Sequence, residues 1–241
     1  MTPELIHDSP ASQVWWGDAR DVLPTIPKES VDLIVTDPPY GQEWQSGFRA
    51  DTFARLEGDG ADDRAGIAAV LVECVRVVGQ NRHLYVFGPS DVLDGLKVSE
   101  AVSLIWDKGV MGAGDLAAVW GPAHEPITFA TSKYRHAGQS GKSALPVRLR
   151  KGTVLRFGRP TGRKVRHPSE KPTALLRELI ESSSKQGETV LDPFAGIGST
   201  AVAAIAAGRK SIIIELDEQY ANMAVKRVRR AETLAAGLAA I

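Results

Sequence analysis

Cysteine is nearly absent from this chain of 241 residues, which contains only Cys74. A single cysteine excludes an intramolecular disulfide framework and a cysteine-rich metal site. The five histidines are scattered along the sequence, and no two of them stand at the spacing of metal ligands. We therefore expect no bound metal, and a reducing, cytoplasmic setting.

Long apolar runs are also absent. No stretch reaches the ~20 apolar residues that a membrane-spanning helix needs, and the N-terminal segment holds Glu4 and Asp8 rather than the apolar run of a secretory signal. Hydrophobic residues make up 43% and charged residues 24%, which is ordinary for a globular protein. The length suffices for one α/β core, so we predict a single domain over 1–241 without a membrane partner.

Acidic residues are missing from one long segment. No Asp or Glu occurs in 126–169, whereas the same 44 residues carry eleven Lys and Arg side chains. The net charge of the chain is zero, so the remaining residues carry a net charge of minus eleven. Such a basic segment predicts a polyanionic partner, although a solvated loop is the plainer alternative. Its part from 134 to 166 has no helical or strand period, and we predict a basic insertion there.

Strand-like and helix-like segments alternate through the rest of the chain. This alternation predicts a single doubly wound, mostly parallel sheet with helices on both faces. We expect strands at 13–16, 31–35, 83–87, 102–106, 126–130, 189–191 and 210–216. We expect helices at 65–78 and 172–183, a helix of small residues that ends at 207, and a last helix from 217 to about 235.

A glycine turn, Asp192-Pro-Phe-Ala-Gly-Ile-Gly-Ser-Thr200, follows one predicted strand. Glu215 stands 23 residues after Asp192 at the end of the next strand, where an acid can accept hydrogen bonds from both ribose hydroxyls. The chain has neither a third glycine for a pyrophosphate nor a Gly-Lys-Ser/Thr for a triphosphate. The pattern therefore favours an adenosine without phosphates, with S-adenosylmethionine as the candidate cofactor. Taken alone, the glycine pair also fits a tight turn in an unrelated α/β protein.

The segment Asp37-Pro38-Pro39-Tyr40 follows a buried strand and is expected at the same sheet edge as the glycine turn. An exocyclic base amine is a poor nucleophile because its lone pair is delocalised into the ring. The Asp37 carboxylate and the Pro38 carbonyl can accept its N–H bonds and localise that lone pair, while Tyr40 can stack on the base. In isolation, this segment could instead be a rigid strand terminator.

Together these segments resemble the amino-methyltransferases of DNA. The resemblance rests on TDPPY at 36–40, DPFAGIGST at 192–200, IIIELDEQY at 212–220, HPSEKP at 167–172 and the turn Gly17-Asp18. It implies catalytic roles for Asp37, Pro38, Pro39 and Tyr40. It implies cofactor contacts from Asp18, Ala19, Asp37, His167, Lys171, Asp192, Pro193, Phe194, Ala195, Gly196, Gly198, Ser199, Thr200 and Glu215. For His167, a simple helix-entry residue is an equally open interpretation.

The catalytic segment precedes the glycine turn, an order that resembles the permuted, beta-type members of the family. In that arrangement the target-recognition region lies between the two motifs, where the basic segment stands. The resemblance therefore implies a double-stranded DNA partner and a base flipped out of the duplex. The side chains expected to contact DNA are Arg148, Arg150, Lys151, Arg156, Arg159, Arg163, Lys164 and Arg166.

The expected reaction is methylation of adenine N6, because Asp at position 37 resembles the adenine enzymes whereas Ser is more usual in those acting on cytosine. Cytosine N4 is the alternative, followed by an RNA base or a DNA-binding relative without catalysis. Cytosine C5 is disfavoured, because Cys74 lies on the apolar face of a predicted helix rather than in a site. The chain is expected to act as a monomer or homodimer, with or without a paired restriction enzyme.

Overall fold

The computed structural model describes residues 2–39, 64–99, 101–109, 119–132, 151–159 and 170–239. They form a nine-stranded sheet in the order β1-β2-β9-β8-β3-β4-β6-β5-β7. The strands are β1 (Glu4–Asp8), β2 (Ser12–Trp16), β3 (Val31–Thr36), β4 (Val78–Phe87), β5 (Val102–Asp107), β6 (His124–Thr131), β7 (Val154–Arg156), β8 (Thr189–Asp192) and β9 (Lys210–Glu215). The helices are α1 (Ala19–Val22), α2 (Arg64–Val77), α3 (Thr173–Ser183), α4 (Ser199–Ala206) and α5 (Glu218–Ala239), with short 3₁₀ turns at Leu23–Thr25 and Ser90–Leu93.

The central strand β3 shows why the sheet is covered on both faces. Ile34 belongs to one buried cluster with Cys74 of α2, whereas Leu33 and Val35 belong to another with Leu176 of α3. Successive side chains of a strand point to opposite faces, so an unbroken apolar run requires packing on both sides. Helices α1 and α2 therefore cover one face, and α3, α4 and α5 cover the other.

Strand direction confirms the doubly wound, mostly parallel sheet. Strands β2, β9, β8, β3 and β4 run parallel to one another. Strand β1 runs antiparallel to β2, and β6 runs antiparallel to both β4 and β5. The carboxyl ends of the five parallel strands consequently meet at one edge of the sheet, which we call the carboxyl edge. The opposite side is the amino edge.

The chain order is the predicted permuted one. Strand β2, near the start of the chain, pairs in parallel with β9, the last strand. Helix α5 follows β9 and packs Val225 and Val228 into a buried cluster with Val14 of β2 and Ile213 of β9. The chain therefore begins beside the strand that precedes its final helix.

Three elements differ from the sequence expectation. Strand β1 was not expected, and β4 begins at Val78, which the apolar period had assigned to the preceding helix. Strand β7 lies inside 134–166, where only a loop was predicted, and it pairs in parallel with β5 from Ile105↔Val154 onward. A three-residue edge strand has one half-buried residue, Leu155, which is too little alternation to show a period of two.

Candidate active site

The carboxyl edge brings the predicted catalytic and cofactor segments together. Asp37 directly follows β3, and Asp192 is the last residue of β8. Between them, the Thr36 hydroxyl donates a hydrogen bond of 2.8 Å to Asp192 Oδ1, although the two residues are 156 positions apart. The Asp37 turn thus lies beside the glycine turn, as the sequence interpretation required.

Gly198 is the position where the glycine turn demands glycine. Its φ is 77°, in the left-handed region that favours glycine. A Cβ at this position would lie 3.0 Å from Ala224 Cβ and 3.3 Å from Ile213 Cδ1. Glycine here lets the turn enter α4 while packing closely against α5 and β9.

Asp192 braces the turn from inside. Its Oδ1 accepts hydrogen bonds from Thr36 Oγ1 at 2.8 Å and from the Phe194 amide at 3.1 Å. Its Oδ2 accepts one from Thr200 Oγ1 at 2.6 Å. Burial raises the pKa of Asp192 to about 6, although these hydrogen bonds oppose the rise. These three donors come from the protein, so the carboxylate shapes the turn, and its direct contact with a cofactor stays a prediction.

Glu215 presents a half-buried carboxylate at the end of β9. Its Oε2 accepts from the Gly196 amide at 2.6 Å, and its Oε1 accepts from the Asp217 amide at 2.9 Å. Burial raises its pKa to about 7, against the effect of the two amides. Each carboxylate oxygen has more than one acceptor site. Glu215 can therefore accept two further hydrogen bonds, as a ribose diol requires.

The Gly17–Asp18 turn lies next to Glu215, because the Gly17 amide donates to the Glu215 carbonyl at 2.9 Å. Gly17 has a φ of 149°, and a Cβ there would lie 2.8 Å from Pro3 Cα. Asp18 caps α1 by accepting from the Arg20 amide at 2.8 Å, and hydrogen bonds from Arg20 lower its pKa. Ala19 packs into the core. Cofactor contacts from Asp18 and Ala19 remain predictions.

Asp37 forms an ion pair with Lys171, whose Nζ lies 2.5 Å from Asp37 Oδ2. The Lys171 side chain is only 11% exposed, and its ammonium lies 5.0 Å from the centre of the Phe87 ring. Burial raises the pKa of Asp37 against the opposing charge of Lys171. For Lys171 the balance is reversed, since Asp37 and Glu125 outweigh burial and raise its pKa. Lys171, expected as a cofactor contact, thus directs its charge at the carboxylate that the sequence predicts to be catalytic.

Pro38 and Pro39 follow Asp37, and Pro38 is buried. Neither residue has a backbone N–H, so these two positions offer no amide donor that could compete for the Asp37 carboxylate. This arrangement favours acceptors at the end of β3, as the sequence interpretation proposed.

Sequence reasoning missed Lys108 and Glu125, which extend the Asp37 ion pair. Lys108 follows β5, Glu125 lies in β6, and Lys108 Nζ is 2.6 Å from Glu125 Oε1. Glu125 Oε2 in turn lies 3.4 Å from Lys171 Nζ. No motif contains these residues. Only the antiparallel pairing of β5 with β6 brings them to the carboxyl edge.

Sequence reasoning also missed Arg227 on α5. Its guanidinium pairs with Glu170 at 2.9 Å, and it donates to the Ile197 carbonyl and to Ser199 Oγ, both at 3.2 Å. The residue before Lys171 is thereby tied to the glycine turn. An amphipathic helix gives no local signal for such a contact.

Several predicted site residues lie outside the described part of the chain: Tyr40, His167, Arg148, Arg150, Arg163, Lys164 and Arg166. Of the described basic residues, Lys151 pairs with Glu178 on α3. Arg156 is 81% exposed and pairs with Asp107 at 3.2 Å, and Arg159 is half-buried. Their contacts with DNA stay predictions.

The described residues contain no group of three or more His, Cys, Asp or Glu side chains that could hold a metal ion. None of their helices combines the length and apolar character needed to span a membrane.

The sequence is similar to known proteins over most of its length. A family model for N6/N4 methyltransferases, described as DNA methylase, matches residues 31–226. The chain is 28% identical to DNA adenine methyltransferase YhdJ of Escherichia coli strain K12, covering 90% of this chain and 83% of that protein. It is 29% identical to the type II methyltransferase M.HinfI of Haemophilus influenzae, covering 95% and 71% respectively.

Solved structures confirm the fold. The complex of M1.HpyAVI with S-adenosylmethionine superposes with a TM-score of 0.67 at 22% identity, covering 90% of this chain and 98% of that one. The cytosine-N4-specific PvuII DNA methyltransferase superposes with a TM-score of 0.68 at 14% identity, covering 96% and 95%. The fold predicted from alternating strands and helices is therefore that of known methyltransferases.

Proposed function

Since the chain belongs to the N6/N4 family of DNA methylases, we propose that it transfers a methyl group from S-adenosylmethionine to adenine N6 in DNA. The transfer is direct and acts on a base flipped out of the duplex. One observation carries the proposal: the hydrogen bond from Thr36 to Asp192 holds the Asp37 turn against the glycine turn. An amine acceptor and a cofactor cradle thereby share one edge of the sheet.

The residues around the glycine turn fit an adenosine-containing cofactor. Glu215 would accept the ribose hydroxyls, and the turn Gly17–Asp18 lies beside it. The backbone of Gly196 and Gly198 would line the remainder of the cofactor site. When bound, S-adenosylmethionine supplies an electrophilic methyl group on a sulfonium centre.

At the reacting amine, the protein acts by orientation and by accepting hydrogen bonds. Asp37 and the Pro38 carbonyl accept the two N–H bonds, which localises the nitrogen lone pair. Burial raises the pKa of Asp37, and the charge of Lys171 opposes that rise, which favours the ionised form that acts as an acceptor. No covalent bond to the enzyme is needed, because catalysis consists of alignment in a preformed site.

DNA as the substrate is supported by the family, by the acid-free segment and by two exposed apolar side chains. Val119 and Trp120 are 89% and 87% exposed on the connection that leads into β6. Because β6 begins at the carboxyl edge, the connection that carries both residues enters the sheet at the edge where Asp37 lies. Exposed aromatic and apolar groups beside a site are typical of binding surfaces, and aromatic rings can stack on bases.

Adenine is favoured over cytosine by the residue type at position 37, where Asp resembles the adenine enzymes. It is also favoured by the similarity to YhdJ, whose name states adenine. Cytosine N4 is the second candidate, because the cytosine-N4-specific PvuII enzyme has the same fold. Both amines require the same acceptors, so geometry at Asp37 does not separate them. The two bases differ instead in size and in the groups on the ring edge.

The deciding experiment incubates the protein with unmethylated duplex DNA and cofactor labelled in the methyl group, followed by nucleoside analysis. We expect label in the N6-methyldeoxyadenosine released from the DNA, and none in a matched RNA duplex. The Asp37→Ala variant serves as the control and should bind cofactor without transferring label. Label in N4-methylcytosine would replace adenine with cytosine in the proposal, and a folded, cofactor-binding protein that labels neither base would refute it.

A further inference from the structure

Four charged side chains form a continuous chain at the carboxyl edge. The contacts run from Asp37 to Lys171 at 2.5 Å, from Lys171 to Glu125 at 3.4 Å, and from Glu125 to Lys108 at 2.6 Å. The members come from the end of β3, the segment before α3, the start of β6 and the end of β5. Two anions alternate with two cations, so the group is neutral as a whole.

We propose that Glu125, held by Lys108, is a positioning residue that divides the ammonium of Lys171 between two carboxylates and thereby sets how strongly Asp37 accepts the target amine. The inference rests on the proposed function of Asp37. Glu125 and Lys108 themselves need not touch the base.

The geometry gives Lys171 two competing partners. An ammonium has three donors, and Lys171 directs them at Asp37 and Glu125 above the face of the Phe87 ring. Without Glu125, the lysine would bind Asp37 alone and occupy acceptor sites that the amine needs. Lys108 Nζ lies 2.6 Å from the other oxygen of Glu125, so it competes with Lys171 for the charge of this carboxylate.

The charges that face Asp37 come from three neighbouring elements. Lys171 precedes α3, Glu125 lies in β6, and Asp192 ends β8. Lys171 stabilises the ionised form of Asp37, whereas the two acidic neighbours oppose it. The negative charge of Glu125 therefore makes Asp37 more basic, and the positive charge of Lys171 makes it less basic. Asp37 is tuned by the balance between them.

The strand pairing that carries these residues does not depend on the side chains. The Lys108 amide donates to the Ala123 carbonyl at 2.9 Å, and β5 pairs with β6 from Val102 to Asp107 through backbone hydrogen bonds. Glu125 is also 35% exposed, so a neutral amide there can reach water. The Glu125→Gln variant should therefore fold, and its effects report on charge.

The test compares Glu125→Gln with Asp107→Asn, a control that removes a carboxylate charge from the same hairpin without facing Lys171. Single-turnover methylation and calorimetric cofactor binding are measured across pH. We expect Glu125→Gln to slow transfer about tenfold at neutral pH, equivalent to weakening one hydrogen bond to a charged group, with unchanged cofactor affinity. The acid limb of its pH–rate profile, where the rate falls as Asp37 takes up a proton, should move to lower pH, because a negative charge beside Asp37 is lost. Glu125→Asp should restore part of the rate.

Lys108→Met provides a change of opposite sign. Without Lys108, Glu125 draws Lys171 away from Asp37, so the acid limb should move to higher pH. General damage to the fold would not shift the acid limbs of the two variants in opposite directions. If Glu125→Gln matches Asp107→Asn in both rate and acid limb, the inference is overturned.

A second readout separates this inference from the proposed function. Carbon-13 NMR titration of the Asp37 carboxyl, in the protein without cofactor or DNA, measures how the charge of Glu125 affects Asp37. This measurement does not require methyl transfer. A titration that shifts in Glu125→Gln, in a protein that methylates no base, would refute the proposed function but retain the charge coupling. An unshifted titration would refute the coupling, whatever the activity.

Discussion

The amino edge and the carboxyl edge of the sheet both carry charged groups, but the charges are arranged differently. At the amino edge, Arg82 bridges Asp32 at 2.9 Å and Glu188 at 2.8 Å. Asp32 also accepts from the Thr189 amide at 2.9 Å, which ties β3 to β8. In this cluster, ion pairs and a hydrogen bond join neighbouring elements, and each charged side chain has a partner of opposite charge.

At the carboxyl edge, the pKa values of three carboxyl groups are raised by burial: Asp37, Asp192 and Glu215. Within the described part of the chain, Asp37 is the one of these three carboxyl groups that forms an ion pair with a lysine. Groups whose ionisation is opposed by their surroundings cost stability, and they concentrate where a ligand will use them. We infer that the amino edge stabilises the fold, whereas under the proposed function the carboxyl edge would keep acceptors ready for a cofactor and a base. Four variants test this division, from the largest expected effect to the smallest.

Asp37→Asn should have the largest effect, because it replaces a charged acceptor by an amide at the reacting amine. We expect the rate of transfer to fall by about 10²–10³-fold, as for loss of one preorganised electrostatic partner, with a much smaller loss of cofactor affinity. Single-turnover kinetics with labelled cofactor measure the first quantity, and calorimetry measures the second. A rate within a few fold of the parent protein would remove Asp37 from the chemistry.

Glu215→Gln should weaken cofactor binding by about 10–100-fold, since hydrogen bonds to a charged group contribute about 1.5–3 kcal/mol. In the parent protein, affinity should rise with pH through about 7, where Glu215 ionises. The variant should lose this dependence. Calorimetric titrations across that range decide, and a parent affinity that does not change with pH would contradict the assignment of Glu215 as the ribose acceptor.

Glu215 also links stability to pH in the protein without cofactor. Its pKa is raised from 4.5 to about 7 in the folded state, so between these values the folded protein binds more protons than the unfolded chain. Its contribution therefore favours folding at acid pH and is lost as pH rises through about 7. The Gln variant should show a smaller decline in denaturant midpoint over this window.

Arg82→Met should break the amino edge without touching the chemistry. Breaking a fully buried ion pair costs about 3–5 kcal/mol, and the 15–25% exposure of Arg82 and Asp32 reduces the expected loss to about 2 kcal/mol. For a chain of this size that lowers the melting temperature by about 4–8 °C. Below the transition, the rate of transfer should equal that of the parent protein. A loss of rate without a loss of stability would contradict this division, because it would assign Arg82 to the chemistry rather than to the fold.

Arg156→Ala should have the smallest effect on stability, about 0–1 kcal/mol, because its ion pair with Asp107 is exposed. If Arg156 contacts phosphate, its removal should weaken DNA binding and reduce the salt slope by about one. Fluorescence anisotropy with a DNA duplex at several salt concentrations measures both. The Arg177→Ala variant, whose arginine pairs with Glu181 on α3, is the surface control and should leave the slope unchanged.

The sequence predicted those parts of the site that depend on local chain geometry. Gly198 needs a left-handed φ, and the two prolines after Asp37 end a buried strand, so both turns leave a readable signature. The mostly apolar sequence of β3 predicted a buried parallel strand. Local rules failed for β7, because a three-residue edge strand carries too few side chains to show alternation.

The chain order and residue types by themselves determined the α/β sheet, the glycine turn, Glu215 and the Asp37 segment, because each follows from backbone preferences over a few neighbouring residues. Only the tertiary structure decided that Lys171 faces Asp37, that Glu125 and Lys108 stand behind it, and that Arg227 holds Glu170. These are ion pairs between elements distant in sequence. Their energy depends on through-space distance and burial, which no local pattern of residues encodes.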